Sequence, residues 1–169
     1  MSPPMYIRYF FPHWKLVNGN KMKNSLNLLN NLEVIRWCYE GITDISLKNT
    51  ESEKKLKESK QIEKDWGNKV IQTTEGKQWT TVLCQDLVME ALIKLGRKNV
   101  RRTGPKKSSI RDKKYDPDLE CDDYVYEVKG RSWSTPGTAG EKILGVPLKY
   151  GELPRLYKKP LQIILVGYQ

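Results

Sequence analysis

The chain has 169 residues, 38% apolar and 30% charged, with 30 basic against 20 acidic side chains and a formal net charge of +10. That length suffices for one good core or a core plus a smaller arm. No stretch approaches the ~18 apolar residues of a membrane span, and the N-terminus lacks signal-peptide organisation, so an intracellular, cytoplasmic protein without a membrane partner is expected. Cys38, Cys84 and Cys121 are isolated, with no CxxC spacing, which argues against a disulfide framework or zinc cluster and for small buried hydrophobes. The sole histidine, His13, leaves little basis for histidine chemistry.

Residues 1–70 read as an N-terminal arm. MYIRYFFPHWKLV is aromatic-rich and broken by Pro12, and VNGN is a turn. Leu26, Leu29, Leu32, Ile35 and Cys38 recur at near-helical spacing, predicting a helix that ends at Gly41. The charged segment EKKLKESKQIEKDWG, with sparse apolar marks at Leu56, Ile62 and Trp66, reads either as a solvent-exposed helix or as a flexible connection.

The pattern sharpens in residues 71–169. Trp79, Leu83, Leu87, Ala91 and Leu95 align on one helical face, with Thr80 or Thr81 to cap the start and Gly96 the end. From Lys94 to Lys114 there are ten basic residues opposed only by Asp112; a run of this kind attracts a polyanion. Within it Asn99 to Thr103 predicts a short edge strand, ended by Gly104-Pro105.

The segment Tyr115 to Arg131 predicts a hairpin. With Asp122-Asp123 as a two-residue turn, Leu119 faces Tyr126 and Asp118 faces Glu127. Lys129 returns to the same face by strand parity. Opposed residues have Cβ atoms about 4.5–5.5 Å apart, so two carboxylates and an amine gather where they can hold a divalent cation beside a phosphodiester. The other face, with Pro117, Leu119, Cys121, Tyr124, Tyr126 and Val128, suits packing under a helix. A helix from about Thr138 to Lys149 and a buried strand in LQIILVGY follow. The order helix, three strands, helix, strand predicts an α/β fold: a small mixed sheet flanked by helices.

This order, with Pro117-Asp118 followed by Glu127-Val128-Lys129, resembles the PD-(D/E)XK nucleases, the restriction-endonuclease-like fold. The resemblance covers roughly Trp79 to Gln169, and the closing string from Glu127 is similar in texture to type II restriction endonucleases, including those of large DNA viruses. It implies that Asp118 and Glu127 bind Mg²⁺, with Mn²⁺ able to substitute, and that Lys129 orients water or stabilises the transition state. Many relatives carry a glutamate on the first core helix; this chain has Gln85 there, with Glu90 one turn on, so Gln85 and Glu120 stand as supplementary ligand candidates. The implied activity is hydrolysis of duplex DNA at a short specific sequence. Arg101, Arg102, Lys106, Lys107, Arg111, Lys113 and Lys114 would grip DNA, and Arg131, Ser132, Trp133 and Lys142 would contact it from the segment after the hairpin. A palindromic target implies a homodimer, a restriction role implies a matching DNA methyltransferase in the host or viral genome, and the arm of residues 1–70 would add a DNA-binding or dimerisation surface. A structure-selective repair or junction nuclease, and a non-catalytic basic nucleic-acid-binding module, stay open as alternatives.

Overall fold

The computed structural model describes residues 5–10, 27–40, 53–71, 79–130 and 145–167. Three helices, α1 (Leu32–Glu40), α2 (Glu53–Ile71) and α3 (Trp79–Lys94), precede most of the sheet, and two short ones, α4 (Val146–Tyr150) and α5 (Leu153–Tyr157), lie before its last strand. The strands are β1 (Met5–Phe10), β2 (Arg101–Arg102), β3 (Lys106–Lys107), β4 (Lys114–Tyr115), β5 (Leu119–Glu120), β6 (Val125–Gly130) and β7 (Leu161–Val166). The main sheet runs β1-β7-β6-β5-β2, and β3 and β4 form a separate two-stranded ribbon. β7 pairs in parallel with both β1 and β6, while β5 is antiparallel to β6 and to β2. The fold is mixed α/β, a small mixed sheet with helices on both faces.

Strand parity explains the two cores. On one face Leu119, Cys121, Tyr126, Val128, Ile164 and Val166 pack with Leu83, Cys84, Leu87, Val88 and Ala91 of α3. On the other Val125, Leu161, Ile163 and Leu165 pack with Val146, Tyr150, Leu153 and Tyr157. Each fully buried leucine contributes about 1.5–3 kcal/mol of burial energy. α3 ends as its glycine foretells: Gly96 adopts φ 76°, its N–H donates to Ile93 O, and Arg97 N–H donates to Leu92 O, a Schellman closure.

Described elements of residues 1–70 contribute to the sheet and to the core. β1 is an edge strand of the main sheet, and Leu28, Leu29, Val34, Trp37 and Cys38 belong to the same core cluster as α3. α1 begins at Leu32, later than the leucine spacing implies, because Asn31 Oδ1 accepts from Glu33 and Val34 N–H as an N-cap. Its buried face is Val34, Trp37 and Cys38, whereas Leu32 is 82% exposed. The charged segment is helical: α2 packs Trp66 against the core, and Trp37 Nε1 donates to Glu63 Oε1 at 3.2 Å.

The expected helix over Thr138–Lys149 is observed only from Val146. Residues 138–144 lie outside the described residues, and a second short helix with Pro154 in its first turn follows. The β3–β4 ribbon has no counterpart in the sequence reading. All three cysteines are buried free thiols, and burial pushes Cys38 up to about 12 and Cys84 well above its ordinary value. Among the described residues no helix is long and apolar enough to cross a membrane. His13 lies outside them.

Candidate active site

The hairpin forms in the counted register. Leu119 pairs with Tyr126 and Glu120 with Val125, and Cys121 N–H donates to Tyr124 O at 2.9 Å across the turn. Asn99 Nδ2 donates to both Asp122 oxygens, at 2.9 and 3.0 Å, and Arg97 pairs with Asp123 at 3.5 Å, so the connection after α3 pins the turn. Continuing that register sets Asp118, one residue before β5, opposite Glu127.

Five side chains converge there from both layers. Asp118 Oδ2 accepts from Val128 N–H at 2.6 Å, and Asp118 Oδ1 accepts from Gln85 Nε2 of α3. Lys129 Nζ donates to Glu127 Oε1 and lies 3.4 Å from the Tyr150 hydroxyl of α4 and 5.2 Å from that ring's centroid. Gln85 thus comes from the layer over one face of the sheet and Tyr150 from the layer over the other. Sequence reasoning missed Tyr150, whose only signal is an aromatic residue in a helix broken by prolines.

The site is more enclosed than an open polar face. Glu127 is only 4% exposed, because α4 and α5 cover the side of β6 that also carries Val125. Burial, and then the charge of Glu127, push Asp118 up to about 6, although Val128 N–H, Lys129 and Gln85 pull the other way. Burial and the neighbouring Glu127 and Asp118 raise Tyr150 well above the ordinary tyrosine range, so its hydroxyl stays protonated.

Glu127 Oε2 is buried without a hydrogen-bond partner. An unsatisfied buried polar atom costs about 1–3 kcal/mol, more when it belongs to a charged group. A divalent cation fits this donor set: it would satisfy that oxygen and relieve the repulsion between two enclosed carboxylates. Such a cation would be held by Asp118 and Glu127.

The supplementary ligand candidates are placed otherwise. Glu120 is held by Arg101 at 2.6 Å and Lys159 at 3.4 Å, and among the described residues no three His, Cys, Asp or Glu side chains group to hold a metal. Gln85 turns its amide nitrogen to Asp118 while its oxygen accepts from Arg102. Glu90, one turn on, accepts from Leu28 N–H at 3.0 Å and Leu29 N–H at 3.1 Å, satisfying the start of a 3₁₀ turn.

Several cations of the basic run have partners within the protein. Arg101 pairs with Glu120, and Arg102 with Asp86 and Gln85. Lys106 Nζ donates to Leu156 O at 3.2 Å and sits 4.3 Å from the Tyr157 ring centroid, Lys113 sits 4.3 Å from that of Tyr115, and Lys107 approaches Asp112 at 3.8 Å. Arg111 and Lys114 are exposed. The loop before β4 is clasped to α5 by Glu152, which accepts from Ser108 Oγ at 2.6 Å and from Ser109 N–H at 2.7 Å. Burial would raise the Glu152 carboxyl, but the hydrogen bonds from Ser108, Ser109 and Arg155 outweigh it and hold it at about 2. Arg131, Ser132, Trp133 and Lys142 lie outside the described residues.

No protein-family model, curated protein or solved structure matches the chain.

Proposed function

We propose that the protein is a Mg²⁺-dependent endonuclease of the PD-(D/E)XK kind, hydrolysing phosphodiester bonds of duplex DNA at a short specific sequence. The observation that carries this reading is the pair of enclosed carboxylates, Asp118 and Glu127, joined across a hairpin with Lys129 on Glu127 and one Glu127 oxygen left unpartnered. The α/β architecture agrees with a restriction-endonuclease-like core.

In this mechanism Asp118 and Glu127 would hold the cation, which when bound would supply charge neutralisation at the phosphate and a more acidic water. Lys129, ion-paired to Glu127, orients the attacking water and offsets charge developing on the nonbridging oxygens. Val128 N–H and Gln85 Nε2 fix the Asp118 carboxylate, so its geometry is set before substrate arrives. Tyr150 stays protonated and walls the lysine side of the site. A twofold homodimer on a palindromic target would supply one site per strand, and a cognate methyltransferase would protect the resident genome.

Mixed-sequence unmodified DNA incubated with the protein and Mg²⁺ tests this directly. Discrete fragments are expected, with Glu127→Ala and Lys129→Ala each lowering cleavage about 10²-fold or more while DNA binding is retained. Structure-selective cutting would move the assignment to a repair or junction nuclease. Activity without a metal, or full activity in either variant, would sink it.

A further inference from the structure

Arg102 spans two neighbours on α3: its Nη1 donates to Gln85 Oε1 and its Nη2 to Asp86 Oδ1. A guanidinium has donors and no acceptor, so it can face only the oxygen end of the Gln85 amide. The amide nitrogen is thereby turned to Asp118 Oδ1. Asp86 holds the guanidinium by an ion pair in which Arg102 is 41% exposed and Asp86 21%, so the lock sits at the rim, outside the enclosed carboxylate pair.

We propose that Arg102 is a positioning residue that fixes the polarity of the Gln85 amide, making Gln85 a donor to the Asp118 carboxylate and keeping its oxygen off the cation. Two basic residues that the charge run suggests as DNA contacts then divide in role. Arg102 acts inward on the site through Gln85, and Arg101 ties Glu120. The cation is held by Asp118 and Glu127 without a third side-chain oxygen from α3. This rests on the metal-site reading above, but the amide lock itself does not.

The sign of the effect separates positioning from simple structural support. Losing a support weakens a site, whereas releasing Gln85 lets its oxygen reach the cation and removes a competing donor from Asp118. Two measurements on the full chain test it. In the metal-free protein, the Gln85 side-chain amide should give exchange-protected ¹⁵N–¹H signals that lose protection in Arg102→Met. By titration calorimetry with Mn²⁺ alone, Arg102→Met should bind roughly three- to tenfold tighter, part of that coming from the removed positive charge. On a Gln85→Ala background the gain should fall to the charge part, which the double-mutant comparison isolates. Unchanged amide protection in Arg102→Met, weaker Mn²⁺ binding, or equal gains on both backgrounds would overturn the proposal. Should the wild type bind Mn²⁺ no better than Asp118→Asn, the metal-site reading fails, and loss of amide protection in Arg102→Met would still uphold the positioning role.

Discussion

Gly130→Ala tests how closely α3 must approach the strand that carries Glu127 and Lys129. A Cβ at Gly130 would fall 2.3 Å from Cys84 Sγ, 3.2 Å from Cys84 Cβ and 3.4 Å from Thr80 O. Carbon contacts are favourable at about 3.5–4.0 Å, so the sulfur must yield by more than an ångström. Cys84 is fully buried, so its sulfur cannot swing out into solvent, and the strain falls on the packing of helix against strand. Overpacking of this kind costs about 1–3 kcal/mol, set against the ~0.5–1 kcal/mol gained by replacing a strand glycine. The expected net loss is about 1–2 kcal/mol in urea unfolding. Because Gln85 follows Cys84, the same displacement should loosen its hold on Asp118, so the Gln85 side-chain amide should lose exchange protection. Cys84→Ala should partly rescue the variant, the double substitution being about 1 kcal/mol less destabilised than the sum of the two. Wild-type stability in Gly130→Ala, or strict additivity with Cys84→Ala, would refute the reasoning.

Glu152→Gln probes the clasp between the loop before β4 and α5. The Glu152 carboxyl sits at about 2, below its ordinary 4.5, so the folded state binds its proton less readily than the unfolded one. Its stabilising contribution is present above about pH 4.5 and is lost as pH falls toward 2. The stability gap between wild type and variant should therefore close over that window in urea titrations. A gap independent of pH would contradict the clasp. Glu90→Ala leaves Leu28 and Leu29 N–H without their acceptor and should cost about 1–3 kcal/mol, with Mn²⁺ affinity unchanged. A large loss of metal binding would instead bring Glu90 into the site.

The hairpin was legible because its information is local. A two-residue turn and strand parity suffice to oppose Asp118 to Glu127 and to return Lys129 to their face. The α3 span was legible for the same reason, its apolar spacing and Gly96 closure being contained in one segment. The enclosure of Glu127 was not, since the covering residues Val146, Tyr150, Leu153 and Tyr157 lie in helices of five residues punctuated by Pro147, Gly151 and Pro154, which carry no sustained period. Which cations of the basic run find partners within the protein was not legible either. Charge density along a sequence says nothing of whether Glu120, Asp86 or an aromatic face stands opposite each cation in space. β1 was invisible as a sheet member because its partner, β7, is more than 150 residues away in the chain.

That distant pairing bears on how the molecule is made. β7 stands between β1 and β6, with Met5 aligned to Leu161 on one side and Val125 to the same residue on the other. The strand bearing Glu127 and Lys129 therefore gains its neighbour only when residues 161–166 are in place, and the sheet closes through contacts of high sequence separation, which form slowly. During synthesis, residues up to 160 hold the whole carboxylate hairpin but only half of its sheet support. The assembled site is thus a late product of folding, complete only once residues 161–166 have docked between β1 and β6.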